Sequence, residues 1–354
     1  MGDTRLIDEP KVRITSGTSI VGVVSCVPEI NVGNDYFLDR FSSEEISDVS
    51  KMTGVQSRRR APNGVRTEDL CFAAANTLLD KLGWERSSVD AIIFMSQTPS
   101  HVLPATACKL QSQLELSSSC IAFDVNLGCS AYPYGVWLCS SLINGESLKR
   151  VLLLVGDTIS SISDPNDRAT AMLFGDAGTA TAIEYTDSSS ESVFVLGSDG
   201  SGAANLIVPN SPIYGNVSLD TRLKERDMDK LYMDGGAIFN FTLKRVPALV
   251  NSLLTAANGS LDEFDGFLFH QANKFMLNHL CKKSRLPLDK VPMNIEEFGN
   301  TSSASIPLLM TTRMQSELSQ RRNHIAMFGF GVGYSWGAAS VDIGPLKCVE
   351  TIEL

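Results

Sequence analysis

The stretch Cys120-Ile121-Ala122-Phe123-Asp124-Val125-Asn126-Leu127-Gly128-Cys129-Ser130-Ala131-Tyr132-Pro133 decides how the chain is read. Its first six residues are mostly apolar, β-branched or aromatic, the mark of a strand covered on its faces. Residues 126–128 break the run, and small side chains follow. Pro133 suits the first turn of a helix, where its missing N–H would be unpaired anyway. Residues 134–143 continue as a buried helix that stops near Gly145. A strand, a tight turn and a buried helix in this order argue for a layered α/β fold.

The same alternation extends in both directions. Strands are predicted at 19–26, 91–96, 120–125, 151–155 and 177–185, and helices at 68–82, 104–116 and 134–143. A polar break at 186–192 separates a second series. There strands are expected at 193–198, 266–269, 325–330 and 336–343, and helices at 236–257, 274–283 and 306–316, the first kinked at Pro247. Residues 210–230, with Pro212 and several Asp and Lys, read as an excursion over the surface. The comparable order points to an internal structural duplication. We expect a flexible leader at 1–17, a first half at 18–186 carrying the Cys, and a second half at 187–354 carrying His and Asn.

With 354 residues the chain can form two domains or one double-sized unit. Its 43% hydrophobic and 20% charged residues are ordinary for a soluble globular protein. A formal net charge of -10 argues against broad nucleic-acid binding. No apolar run reaches the roughly 18 residues of a membrane span. Residues 1–17 lack the apolar stretch of a signal peptide, so a cytoplasmic protein is expected. The eight cysteines include no Cys-x-x-Cys pair, so neither a metal site nor a redox pair is indicated. Cys71, Cys108, Cys120 and Cys139 read as buried small hydrophobes.

Three reactive side chains stand at the ends of apolar runs. Cys129 opens a helix, where unpaired N–H groups and the dipole favour a thiolate. His270 ends the strand at 266–269 and precedes Gln271-Ala272-Asn273, a position suited to proton or oxyanion work. Asn300 follows Gly299, which permits an unusual backbone or a close approach. The run Thr301-Ser302-Ser303-Ala304-Ser305 then offers a helix start whose amides can face a cavity. Alone, each of the three also fits a structural role. Together they are the parts of an activated-thiol acyl-transfer site. His279 reads as a packing residue of the next helix. Gly329-Phe330-Gly331-Val332-Gly333 leads into a strand rather than a helix, so it is no dinucleotide loop.

In combination these segments resemble the Cys-His-Asn triad of the thiolase-like condensing enzymes, specifically β-ketoacyl-acyl-carrier-protein synthase III. The resemblance runs from about residue 19 to the C-terminus. It includes Thr53-Gly54-Val55, Pro104-Ala105-Thr106-Ala107-Cys108, Asp167-Arg168 and Leu173-Phe174-Gly175-Asp176. It implies a duplicated α/β/α/β/α five-layered fold and decarboxylative condensation with malonyl-carrier protein on an acyl group loaded at Cys129. His270 and Asn300 would stabilise enolate charge, and the backbone N–H groups of Cys129 and Val332 the tetrahedral oxyanion. The resemblance further implies pantetheine contacts from Arg168, Phe174, Met233, Phe239, Asn273 and Phe330, and an acyl pocket at Leu103 and Tyr132. Acyl carrier protein would dock on Lys274, Lys282 and Lys283. An acyl-coenzyme A or acyl-carrier-protein donor, a homodimer, and no metal or other cofactor are expected. Two other readings are transfer from Cys129 to a non-malonyl acceptor in a specialised lipid, polyketide or surface-glycan pathway, and a non-catalytic partner subunit.

The chain departs from the family pattern at the donor entrance. Asp48 and Met52 stand where members using acyl-coenzyme A carry a Trp and an Arg, and Arg58 is an alternative nucleotide contact. Phe275 occupies the place of a carrier-docking Arg. Leu103, smaller than the Phe of acetyl-specific members, predicts a longer or branched primer completed by the partner subunit.

Overall fold

A computed structural model describes residues 11–146, 148–216, 221–223 and 226–354. Two mixed sheets carry the fold. The first has the strand order Cys348–Glu353, Thr18–Val27, Ala177–Tyr185, Arg150–Asp157, Ala91–Met95, Ile121–Val125. The second has the order Val12–Thr15, Ser192–Ser198, Ser335–Ile343, Asn323–Gly331, Gly266–Phe269. Four strands of each repeat one pattern of directions. In both, two antiparallel pairings are followed by a parallel one. The duplication therefore exists in topology without a residue-level repeat.

Helices Ala131–Glu146 and Ser305–Arg313 lie between the sheets. Val136, Ile306 and Leu309 share one core with Leu153 of the first sheet and Met327 of the second. Helices Thr67–Leu82 and Thr106–Gln113 cover the outer face of the first sheet through a core that includes Leu78, Leu110 and Leu152. Gly235–Ala256 and Lys274–Ser284 cover the second through Val250, Leu277 and Phe328. The result is the α/β/α/β/α sandwich of five layers. Strands covered on both faces read as continuous apolar runs, which explains why the segment around Leu152 and Leu153 shows no alternation.

Several expectations need correction. Residues 1–10 of the expected leader lie outside the described residues, but Val12–Thr15 is a strand paired with Ser192–Val195. Its partner lies far away in sequence, so no local pattern announces it. The helix expected at 306–316 stops at Arg313 and a second one spans Gln315–Gln320. Met314, at φ -125° between them, turns its side chain into the central core. The helix expected from 104 begins at Thr106, because the Asp124 carboxylate accepts the N–H groups of Thr106 and Ala107 at 2.6 and 2.7 Å. The helix expected at 236–257 spans Gly235–Ala256, with Pro247 in its interior. Cys108 is exposed rather than buried, and His279, also exposed, keeps its ring beside Phe239. In the excursion at 210–230, Asn210–Ser211 and Gly215–Asn216 form a hairpin with Ile213 and Tyr214 exposed; 217–220 and 224–225 lie outside the described residues. Among the described residues no helix is long and apolar enough to cross a membrane.

Candidate active site

The two central helices begin at the same place. Cys129 sits in the turn between strand Ile121–Val125 and helix Ala131–Glu146, with the Ala131 N–H bonded to the Gly128 carbonyl at 2.7 Å. The thiol is buried, and burial pushes its pKa up to about 11. Hydrogen bonds from the Val332 N–H and the Ser302 hydroxyl oppose that rise, while the charge of Asp157 adds to it. The thiolate expected at a helix N-terminus is thus outweighed by desolvation. Gly331 lets the neighbouring strand come this close: a Cβ there would lie 2.7 Å from both Cβ and Sγ of Cys129.

His270 follows strand Gly266–Phe269, and its N–H donates to the Phe328 carbonyl at 2.8 Å. Its Nδ1 lies 2.8 Å from the Ser305 hydroxyl, and its ring meets Phe330 edge-on. Burial pushes its pKa down to about 4, against a hydrogen bond with the Ser302 backbone. The imidazole is therefore neutral near pH 7. Asn300 follows Gly299, which takes φ +65° and whose added Cβ would meet the Leu173 carbonyl at 2.7 Å. The Asn300 Oδ1 accepts the Ser302 N–H at 2.9 Å, and its Nδ2 donates to the Ala272 carbonyl at 3.4 Å. Ala272 belongs to the His270 segment, so the two loops are tied together.

Ser302 is the common neighbour. It touches Cys129 through its hydroxyl, Asn300 through its N–H and His270 through its backbone. It holds φ +50°, a left-handed conformation that costs a non-glycine residue about 1 kcal/mol.

A cavity of about 280 Å³ reaches Cys129, Ser302 and Val332. Ile159, Ile162, Phe174, Leu206, Ile207 and Leu231 give it an apolar wall. Of the predicted binding residues only Phe174 lines it. Tyr132 is buried in the central core with its hydroxyl 3.2 Å from Thr181 Oγ1, so it is not part of this cavity. Leu103 is 79% exposed and also outside it within a single chain. Phe330 packs on His270, Asn273 caps helix Lys274–Ser284, Phe239 stacks on Phe275, and Met233 lies in the strand Tyr232–Met233. A wider groove of about 480 Å³ near Lys81 and Gln315 contains none of the three reactive side chains.

Arg58 cannot serve a nucleotide. It is fully buried, and its guanidinium donates to the Val32 and Met172 carbonyls and to Asn34. Arg168 is exposed and lies 3.6 Å from Glu45, while Asp48 and Met52 are exposed on helix Ser43–Thr53. Lys274 pairs with Glu296, and the Lys283 ammonium donates to the Leu243 carbonyl at 2.6 Å. Lys282 is exposed.

Three further residues escaped the sequence reading. Asp157 ends the apolar strand Arg150–Asp157 and is fully buried. Its carboxylate accepts the Gln97 N–H at 2.7 Å, the Ser96 hydroxyl at 3.1 Å and the Ser303 hydroxyl at 2.6 Å. Burial raises its pKa and these donors pull it back. A carboxylate just beyond the apolar run 151–155 was the available signal. Gln97 and Asn126 line the cavity beside Cys129. Among the described residues no group of His, Cys, Asp and Glu side chains could hold a metal ion.

Fold and site together define a thiolase-like condensing enzyme of the acyltransferase class. A family model described as 3-oxoacyl-[acyl-carrier-protein (ACP)] synthase III matches residues 123–206, and one described as its C terminal matches residues 254–343. The chain is similar to the β-ketoacyl-[acyl-carrier-protein] synthase III of Porphyra purpurea, 33% identical over 91% of this chain and 98% of that one. The solved structure of a 3-oxoacyl-(acyl-carrier protein) synthase from Burkholderia xenovorans LB400 is 51% identical, covers 98% of this chain and 99% of its own, and superimposes with a TM-score of 0.96. That of the synthase III from Pseudomonas aeruginosa PAO1 is 28% identical, covers 92% and 98%, and has a TM-score of 0.81. The chain belongs to the 3-oxoacyl-[acyl-carrier-protein] synthase III family.

Proposed function

We propose that Cys129 takes an acyl group from a thioester and passes it to the carbanion formed from a malonyl thioester. The sulfur attacks the donor carbonyl, and the donor thiol leaves with the thiol proton. Malonyl thioester then enters and loses carbon dioxide. His270 Nε2–H and Asn300 Nδ2–H donate to the enolate oxygen as it gains charge, and the carbanion displaces the Cys129 sulfur to give a 3-oxoacyl thioester. A neutral imidazole suits this role because it donates without competing as a cation. The amides of Cys129 and Val332 stabilise the tetrahedral oxyanion, a contribution of roughly 3 kcal/mol per donor. No metal or redox cofactor enters these steps.

The single observation behind this reading is the convergence of Cys129, His270 and Asn300 on Ser302. The test is carbon dioxide release from malonyl-carrier protein. His270→Ala and Asn300→Ala should lower it at least a hundredfold while Cys129 still accepts an acyl group. Unchanged release would assign decarboxylation elsewhere.

Acyl carrier protein is the partner named in the relatives' names, and Lys282 with Lys274 and Lys283 offers it a basic rim. A homodimer in the cytoplasm completes the reading. Strand Ile121–Val125 is the edge of its sheet, with Ile121 44% exposed, Val102 60% and Leu103 79%. Such an apolar edge invites pairing with a second copy. Light scattering should give about twice the chain mass of 38.3 kDa; a monomer at all working concentrations would overturn the dimer.

A further inference from the structure

The cavity wall next to Cys129 is not wholly apolar. Gln97 and Asn126 present carboxamides there, and no hydrogen bond joins either side chain to another of the described residues. The Gln97 backbone is fixed, because its N–H donates to Asp157 at 2.7 Å. Its Oε1 presses against Gly128, the residue before the thiol: a Cβ there would lie only 1.9 Å from it. Val332, whose N–H reaches the Cys129 sulfur, closes the same glycine from the other side, its γ-carbon 2.8 Å from where a Cβ on Gly128 would lie. The carboxamide therefore stands against the residue before the nucleophile, in the wall of the cavity that reaches Cys129.

An amide in this place has a chemical consequence. A plain alkyl chain filling the cavity strips water from the half-buried Gln97, and from the exposed Asn126 on the side that faces the cavity, and returns no hydrogen bond. A chain with a hydroxyl or oxo group near the thioester returns one. A site built to hydrogen-bond a substrate group discriminates against the analogue lacking it far more strongly than an apolar wall discriminates by size. A purely alkyl-selective pocket would be served better by Leu or Val at position 97.

We propose that Gln97, with Asn126, selects a short acyl primer bearing a hydroxyl or oxo group on its third carbon. The inference rests on Cys129 being the acyl carrier. It goes beyond that reading by giving the chemical class of the primer.

The test is competition between butyryl-coenzyme A and 3-hydroxybutyryl-coenzyme A, two donors of equal chain length, read by intact mass of the acyl-enzyme. Wild type should load the hydroxylated chain at least tenfold faster. Gln97→Met keeps size while removing the amide, and should shrink the preference to about twofold or reverse it; Asn126→Val should reduce it as well. Equal loading by wild type, or a ratio unmoved in Gln97→Met that remains folded by circular dichroism, overturns the proposal. Failure of Cys129 to accept any of a panel of thioesters overturns the carrier reading beneath it, a result distinct from loading without preference.

Discussion

The Ser303 hydroxyl donates to the Asp157 carboxylate across 2.6 Å, joining the loop that carries Asn300 to the end of strand Arg150–Asp157. The other oxygen of that carboxylate holds Gln97 and Ser96. One buried acid thus clamps two walls of the cavity.

Asp157→Asn keeps the shape but replaces an acceptor with a donor that faces Ser303. We expect a loss of about 2–3 kcal/mol in urea unfolding, since buried donors lose their partner. Ser303→Ala should cost about 1 kcal/mol. The double variant should fall short of the sum, because both changes break one contact. Full additivity would show that the clamp is not a unit.

Ser302→Gly removes the hydroxyl that acts on the Cys129 sulfur while suiting the φ of +50°. Stability should change little, since relief of backbone strain offsets the added freedom of the unfolded chain. Alkylation of Cys129 by iodoacetamide at pH 8 should slow by about threefold to tenfold, as one hydrogen bond to the thiolate is lost. Faster alkylation would contradict the assignment.

His270 gives a pH signature. Its pKa falls to about 4 in the folded protein, below the 6.5 of the free side chain. Below pH 6.5 the unfolded chain binds the proton more readily than the folded one. The stability contributed by the neutral form is therefore present above pH 6.5 and lost as pH drops towards 4. The loss amounts to about 3 kcal/mol. His270→Gln should flatten this part of the stability curve, measured by urea midpoints from pH 4 to pH 7.

Gly331→Ala would place a Cβ at 2.7 Å from the Cys129 side chain. Either the thiol or the strand must move, and a displacement near 1 Å at a reacting atom costs about a hundredfold. Acyl-enzyme formation in rapid-quench experiments should fall by about that factor. Gly235→Ala is the control for substituting a glycine, because nothing lies within 4 Å of a Cβ there and its φ is not in the left-handed region.

Much of this was legible in the chain itself. Cys129, His270 and Asn300 each close an apolar strand or follow a glycine, and these local marks survive without knowledge of the fold. Layering was legible too, because strands covered on both faces lose their alternation. The rest depends on contacts distant in sequence. Val12–Thr15 needs Ser192–Val195 to become a strand, and Asp157 needs Gln97 and Ser303 to become a clamp. Tyr132 is three residues from Cys129, yet its hydroxyl finds Thr181 in the central core. Arg58 reads as an alternative nucleotide contact until its three partners are seen around it.

The central claim is that Cys129 carries the acyl group between donor and malonyl carbanion. Intact-mass spectrometry after incubation with a panel of acyl thioesters tests it most directly. The account predicts a mass gain equal to one acyl group, absent in Cys129→Ala, that disappears on adding malonyl-carrier protein as a 3-oxoacyl product forms. An acyl group that persists in Cys129→Ala, or that leaves only as free acid when malonyl-carrier protein is present, would contradict it.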